Sequence, residues 1–211
     1  MSAIVMYVET FPVGGLLTNC YVVNCAETKE AIIIDPGMEF EDEAQQIFNY
    51  IEKKNLEIKF IVNTHGHQDH TNGNKTMQEK YTAAPICIHE HDTYLLSRIE
   101  NHNPTTKRLL KDEDNITFGK INLKIMHTPG HTKGSICLID EKTMFSGDTL
   151  FAESIGRTDF PESSPKDMHT TLQKIAKLPN NLTVYPGHEE TTTINHEKQA
   201  NPFLTNLNKG I

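Results

Sequence analysis

Short apolar runs separated by polar turns fill the first part of the chain. Ile4–Val8, Cys20–Val23 and Ala31–Ile34 are rich in β-branched residues and bounded by Gly, Pro and Asn, a pattern that predicts strands. Asp35-Pro36-Gly37 then breaks the chain. Beyond it, Ala44, Ile47, Phe48 and Ile51 recur at i, i+3, i+4 and i+7 among acidic and amide residues, the period of an amphipathic helix. Ile58–Val62 reads as a strand leading into Asn63-Thr64-His65, and a helix including Lys75–Lys80 follows His70. Strand Pro85–Ile88 and a helix of about ten residues come next, the helix stopping before Pro104. The polar stretch Asn101–Asn115, with Lys107, Arg108 and Lys111, reads either as a loop over a site or as a solvated connection. Strands resume at Ile121–Met126, Ser135–Ile139 and Thr143–Phe145. Ser164 caps a helix with Pro165 at its first position and Asp167 completing a capping box, and Met168, Leu172, Ile175 and Ala176 form its apolar face. Strand Leu182–Tyr185 and a last helical segment follow.

Strands in groups with helices between them suit two sheets packed face to face with helices outside. That pattern alone fits other mixed α/β arrangements as well. The length predicts one domain spanning residues 1–211. Lys and Arg number 20 against 28 Asp and Glu, a formal net charge of −8, which repels phosphate backbones and argues against nucleic acid as a partner. The opening MSAIVMYVETF has no cationic segment and is interrupted by Glu9, so it does not read as a signal peptide. No apolar run approaches about 18 residues, so no membrane span is expected and the cytoplasm is the expected location. The Asn115-Ile-Thr117 triplet therefore carries no weight as a glycosylation signal. Cys20, Cys25, Cys87 and Cys137 lie in or beside apolar runs and form no Cys-x-x-Cys pair, which predicts buried free thiols.

Candidate chemistry is concentrated in the histidines. Thr64-His65-Gly66-His67-Gln68-Asp69-His70 puts three imidazoles and a carboxylate into six positions at the end of a strand. Residues two apart in an extended segment share a face, so His65 and His67 point the same way. Imidazole and carboxylate are ligands for zinc, iron or manganese. Thr128-Pro129-Gly130-His131, Ser146-Gly147-Asp148-Thr149 and Pro186-Gly187-His188 repeat one form, a glycine directly before a ligand-type residue close after an apolar run. Ligands on short loops at strand ends are how a rigid scaffold presents a site. His89 and His91 flank Glu90, and His102, His127, His169 and His196 are read as isolated, solvated or hydrogen-bonded side chains.

The order His-x-His-x-Asp-His, Pro-Gly-His, Gly-Asp-Thr, Gly-His resembles the metallo-β-lactamase superfamily from about Asp35 to His188. The resemblance implies a four-layer αββα sandwich with the site at one sheet edge. It implies one metal on His65, His67 and His131, a second on Asp69, His70 and His188, and Asp148 bridging the two. Asp35 matches a position that braces the ligand loop, although a turn aspartate explains it too. Zinc is the default pair of divalent ions, and the same ligands accept iron or manganese.

Such a centre can bring a bridging water from pKa 15.7 to near neutrality for attack on a carbonyl, with Asp69 and Asp148 as catalytic carboxylates. A thioester substrate needs little leaving-group protonation, because thiols ionise near pKa 8.5. Gly147-Asp-Thr-Leu-Phe151, Ser154-Ile-Gly-Arg-Thr-Asp-Phe-Pro161 and Asn201-Pro-Phe-Leu204 are similar to short, single-domain glyoxalase II-like proteins. This implies hydrolysis of S-lactoylglutathione or a related small-molecule thioester. Typical glyoxalase II adds a C-terminal helical domain, which is not expected here, and carries Lys and Tyr where this chain has Arg157 and Asp159. Arg157 either grips a substrate carboxylate or pairs internally with Asp159 or Asp148. Gly156-Arg-Thr-Asp-Phe160 also resembles persulfide dioxygenases of the same superfamily, which implies instead one iron on His65, His131 and Asp148. A non-catalytic structural zinc site fits less well, because such sites are closed and often cysteine-rich. The sequence itself assigns no partner chain.

Overall fold

The computed structural model describes residues 5–96 and 106–207. Two central strands, Thr18–Cys25 and Glu30–Ile34, are buried almost throughout, because both faces of the sheet are covered there. The first sheet has six strands in the order β1 to β6: Met6–Val13, Thr18–Cys25, Glu30–Ile34, Glu57–Val62, Ile86–His89 and Lys107–Leu110. The second runs from β7 to β12: Asn115–Phe118, Ile121–His127, Ile136–Ile139, Thr143–Gly147, Thr183–Pro186 and Thr192–Thr193, with β12 and β7 at its edges.

Side-chain alternation sorts the core into three layers. Ile32, Ile34, Val62 and Cys87 pack with Phe118, Leu123, Ile125 and Phe145 between the sheets. Ala31, Ile33, Ile61 and Ile86 face the other way, onto Ala44, Ile47 and Ile51 of helix α1 (Glu41–Lys54) and Met77 of α3 (Asn74–Lys80). Cys137, Met144 and Val184 face Met168, Leu172 and Ile175 of α5 (Pro165–Ile175), Ile194 of α6 (Ile194–Ala200) and Leu204 of α7 (Pro202–Thr205). The result is the αββα sandwich anticipated from the motifs. Two short helices, α2 (Gln68–Thr71) and α4 (Thr93–Leu96), sit in the connections. All four cysteines are free and buried. Among the described residues no helix is long and apolar enough to cross a membrane.

Several expectations are corrected. The first strand is Met6–Val13 rather than Ile4–Val8; residue 4 lies outside the described residues. Pairing with β2 extends the strand through polar Glu9 and Thr10, which an apolar-run criterion skips. The stretch Asn101–Asn115 is not one connection. Residues 101–105 lie outside the described residues, but Lys107–Leu110 form the parallel edge strand β6, with Leu110 buried and Arg108 stacked 5.6 Å over the Phe60 ring. Asn115–Phe118, read only as a triplet, is a strand paired to β8. The helix after β5 is described as a 3₁₀ turn, Glu90–Asp92, followed by α4; the rest of the ten-residue expectation lies outside the described residues. At α5, Ser164 Oγ accepts from Asp167 N at 3.1 Å, but Ser164 N donates to Gly130 O at 2.8 Å. The reciprocal half of a capping box therefore has no donor to take.

Candidate metal centre

Loops after β3, β4, β8, β10 and β11 meet at one edge of the sandwich. Asp35 comes from the first, His65 to His70 from the second, and His131, Asp148 and His188 from the other three. The two sheets are stitched there by Ile136 N to Thr64 O at 2.8 Å and Asn19 N to Gly187 O at 2.8 Å. Backbone geometry at these loops is demanding. Gly147 has φ 48°, and a Cβ on it would lie 2.3 Å from Thr64 Oγ1. A Cβ on Gly187 would lie 2.2 Å from Asp148 Oδ1 and 2.8 Å from His70 Cε1. Glycine before each of these ligands is thus a space requirement.

All seven predicted ligand residues are brought together. Each imidazole uses one ring nitrogen outward and turns the other inward. Outward, His67 Nε2 meets Glu162 Oε1 at 3.0 Å, His131 Nδ1 meets Arg157 O at 2.8 Å, and His188 Nδ1 meets Leu16 O at 3.2 Å. His70 Nδ1 lies 2.9 Å from Asp35 Oδ2, and His65 Nδ1 lies 3.3 Å from Thr64 Oγ1. Those contacts to carboxylate and carbonyl oxygens fix the outward N–H on four of the rings, so in the neutral ring the inner nitrogen carries the lone pair. Inward, His67 Nδ1 faces His131 Nε2 at 2.9 Å, and His70 Nε2 faces His188 Nε2 at 3.3 Å. Asp148 Oδ2 is 3.4 Å from His131 Nε2 and 3.6 Å from His188 Nε2, while Asp69 Oδ2 is 3.3 Å from His188 Nε2.

This arrangement fits cations. Lone pairs facing lone pairs and carboxylates repel unless positive charge lies between them. Donor atoms at about 2.0–2.1 Å from a tetrahedral cation sit about 3.3 Å apart, close to the spacings seen here. His65 Nε2 and Asp148 Oδ1 are buried without a hydrogen bond, although His70 Nε2 lies 3.2 Å from that oxygen. Two groups that could hold a metal ion are His65, His67 and His131, and Asp69, His70 and His188, with Asp148 reaching both. Without cations, protons take their place. Burial works against a charged His188, yet Asp148 and Asp69 push its pKa up to about 9. Burial works against an ionised Asp69 too, yet His188 and His70 bring it down to about 2. Burial, with His70 beside it, holds His65 well below the usual histidine range.

Asp35 is more than a turn residue. Its φ is 50°, and its carboxylate takes Thr64 N at 2.7 Å, Thr64 Oγ1 at 2.6 Å and His70 Nδ1 at 2.9 Å. Arg157 stands at the mouth, paired through both ends to Asp159 at 2.9 Å and stacked 4.5 Å over Phe160; its backbone oxygen, not its guanidinium, touches His131. A cleft of about 750 Å³ opens over the centre, walled by Leu16, Leu17, Phe151, Ile155 and Phe160.

The sequence reading missed two supports. Glu162 holds His67, and the fully buried Asp92 accepts from Gly66 N at 2.9 Å, Thr132 Oγ1 at 2.6 Å and Gly134 N at 2.7 Å. Asp92 thereby ties the His65–His67 turn to the loop carrying His131. Neither residue is marked by local spacing.

The metallo-beta-lactamase superfamily model matches residues 13–188. The chain belongs to the metallo-beta-lactamase superfamily. Among superfamily members it is similar to hydroxyacylglutathione hydrolase GloC of Haemophilus influenzae, 32% identical over 94% of this chain and 98% of that protein. It is also similar to an uncharacterized protein of Mycobacterium leprae, 31% identical over 96% of this chain and all of the relative. Of solved structures, the BLEG-1 B3 metallo-beta-lactamase superposes with a TM-score of 0.81 at 32% identity, covering 94% of this chain and 100% of that one. TTHA1623, solved in a di-iron-bound form, gives 0.81 at 29% identity with the same coverage.

Proposed function

We propose that this superfamily member is a two-cation hydrolase of small-molecule acyl thioesters, of the glyoxalase II type. The observation that carries the proposal is the pair of facing donor groups, with inner ring nitrogens aimed at one another beneath an open cleft. Similarity to a hydroxyacylglutathione hydrolase over nearly the full length of both chains supports the thioester.

His65, His67 and His131 would hold one ion, Asp69, His70 and His188 the other, and Asp148 both, with zinc as the default metal. When bound, such ions supply an acidified water and an electrophile for a carbonyl oxygen. The protein's own groups do the rest. Asp69, whose Oδ2 takes a hydrogen bond from Thr18 Oγ1 at 3.2 Å, is fixed to orient the attacking water and accept its proton. Leu16, Leu17, Phe151 and Phe160 enclose the acyl group and keep bulk water from it. The thiol departs as thiolate, so no separate acid is required. Among the described residues Arg157 is the one Lys or Arg lining the cleft, and a substrate carboxylate reaches it by displacing Asp159.

The persulfide dioxygenase reading uses His65, His131 and Asp148 of the same centre, and ligand counting fits both. Protein loaded with zinc or iron, assayed on S-lactoylglutathione and on glutathione persulfide, separates them. Thiol release without oxygen uptake supports the hydrolase. Oxygen uptake on the persulfide with no thioester cleavage overturns it.

A further inference from the structure

Three histidines outside the metal centre converge, although the sequence placed only His89 and His91 near one another and read His127 as isolated. His89 closes β5 of the first sheet, His91 lies in the Glu90–Asp92 turn, and His127 closes β8 of the second sheet. The His89 and His127 rings stack with centroids 4.1 Å apart and an interplanar angle of 7°. His91 stands edge-on, 4.9 Å from His89 and 5.8 Å from His127. One ring nitrogen from each lies within 4.8 Å of the others. None of the three belongs to the catalytic ligand set.

We infer that His89, His91 and His127 form an additional binding site for a borderline divalent cation, zinc, nickel or copper, clamping the two sheets together.

The hydrogen bonding prepares the rings for this. His127 Nε2 lies 2.9 Å from Lys133 O, so Nε2 carries the proton and Nδ1 presents a lone pair. An outward N–H held by a carbonyl is the usual support of a metal-bound imidazole. His89 Nδ1 takes the His91 backbone N–H at 3.3 Å, a long contact that a cation on the same lone pair replaces. Burial, with His127 and His91 alongside, brings His89 down to about 4, so its ring is a neutral ligand at physiological pH. Acidic groups supply counter-charge. Asp112 Oδ1 accepts from His127 N at 2.8 Å, and both Asp112 and Glu90 bear on His89.

Two imidazole nitrogens on one tetrahedral cation lie about 3.3 Å apart, so capture closes the present spacing by side-chain rotation. His91 is exposed and its ring can swing, and the stacked pair turns out of parallel. Three imidazoles leave a fourth position for water, and an all-nitrogen set follows the order copper over zinc. The site adjoins the catalytic loops through Asp92, the residue after His91, which holds Gly66, Thr132 and Gly134.

The test is metal stoichiometry, which does not depend on the proposed reaction. Full-length protein is stripped with chelator, dialysed to equilibrium against micromolar zinc and analysed for bound metal. Wild type is expected to retain one equivalent more than His91→Ala, three against two where the main centre holds two ions, with thioester turnover unchanged on adding back metal. His169→Ala, a half-buried histidine on α5, is expected to match wild type. Equal metal counts in wild type and His91→Ala overturn the inference. A second measurement, the zinc-induced rise in unfolding temperature, is expected to be smaller in His91→Ala than in wild type, and an identical rise counts against the site.

Discussion

Asp35 Oδ2 lies 2.9 Å from His70 Nδ1 while Asp35 Oδ1 accepts the Thr64 backbone N–H at 2.7 Å, so one carboxylate from the first sheet sets both ends of the ligand-bearing turn. An amide at this position must aim its NH2 at an existing N–H donor. Asp35→Asn is therefore expected to weaken metal binding by about 10–100-fold, the usual effect of losing such a support. Chelator competition measures it, and unchanged affinity would mean that Asp35 is only a turn residue.

Asp92 answers three donors at once: Gly66 N, Gly134 N and Thr132 Oγ1. Burial raises its carboxyl pKa even though these bonds favour the ionised form. Asp92→Ala strands buried donors at about 1–3 kcal/mol each. Urea unfolding of the metal-free variant should show a loss of about 3 kcal/mol or more. Asp92→Asn should fall between the two, since its one oxygen still accepts. A midpoint equal to wild type for the alanine variant would show that the loops hold without this link.

A methyl group on residue 187 collides with Asp148 Oδ1 at 2.2 Å and His70 Cε1 at 2.8 Å. Gly187→Ala is expected to stay folded by circular dichroism while bound metal falls below that of wild type. Full metal loading in the variant would show that the loop yields without moving the ligands.

Acid should destabilise the metal-free protein in part through His89. Its folded pKa of about 4, set by burial and then by His127 and His91, lies below the unfolded value near 6.5. The unfolded chain therefore takes up the proton first, and the stability tied to the neutral ring is complete above pH 6.5 and lost as pH falls toward 4. Denaturant midpoints at pH 7 and pH 5 in chelator should drop more in wild type than in His89→Gln. Equal drops would remove His89 from the effect.

Much of the candidate centre was legible in the sequence because its residues lie just past the ends of apolar runs, four clustered at His65–His70 and three directly after a glycine. Gly130-His131, Gly147-Asp148 and Gly187-His188 carry both the ligand and the space it needs. The supports were not legible. Asp92 and Glu162 reach the ligand loops across 26 and 95 positions of sequence, and nothing local marks them. Strands β6 and β7 were missed for a related reason. They lie at sheet edges, where one face is solvated and Lys107, Asn115 and Thr117 read as polar connection. The His89–His127 stack joins two sheets, and its members stand 38 positions apart, which spacing alone does not pair.

The most direct test is the rate of thiol release from S-lactoylglutathione by wild type and Asp148→Ala, each with its bound zinc counted. Two catalytic ions should give rapid release in wild type. Removing the carboxylate that reaches both donor groups should cut the rate by about a thousandfold or more, about 4 kcal/mol of barrier. Wild type carrying both ions and releasing no thiol, or Asp148→Ala turning over at the wild-type rate, would contradict the account.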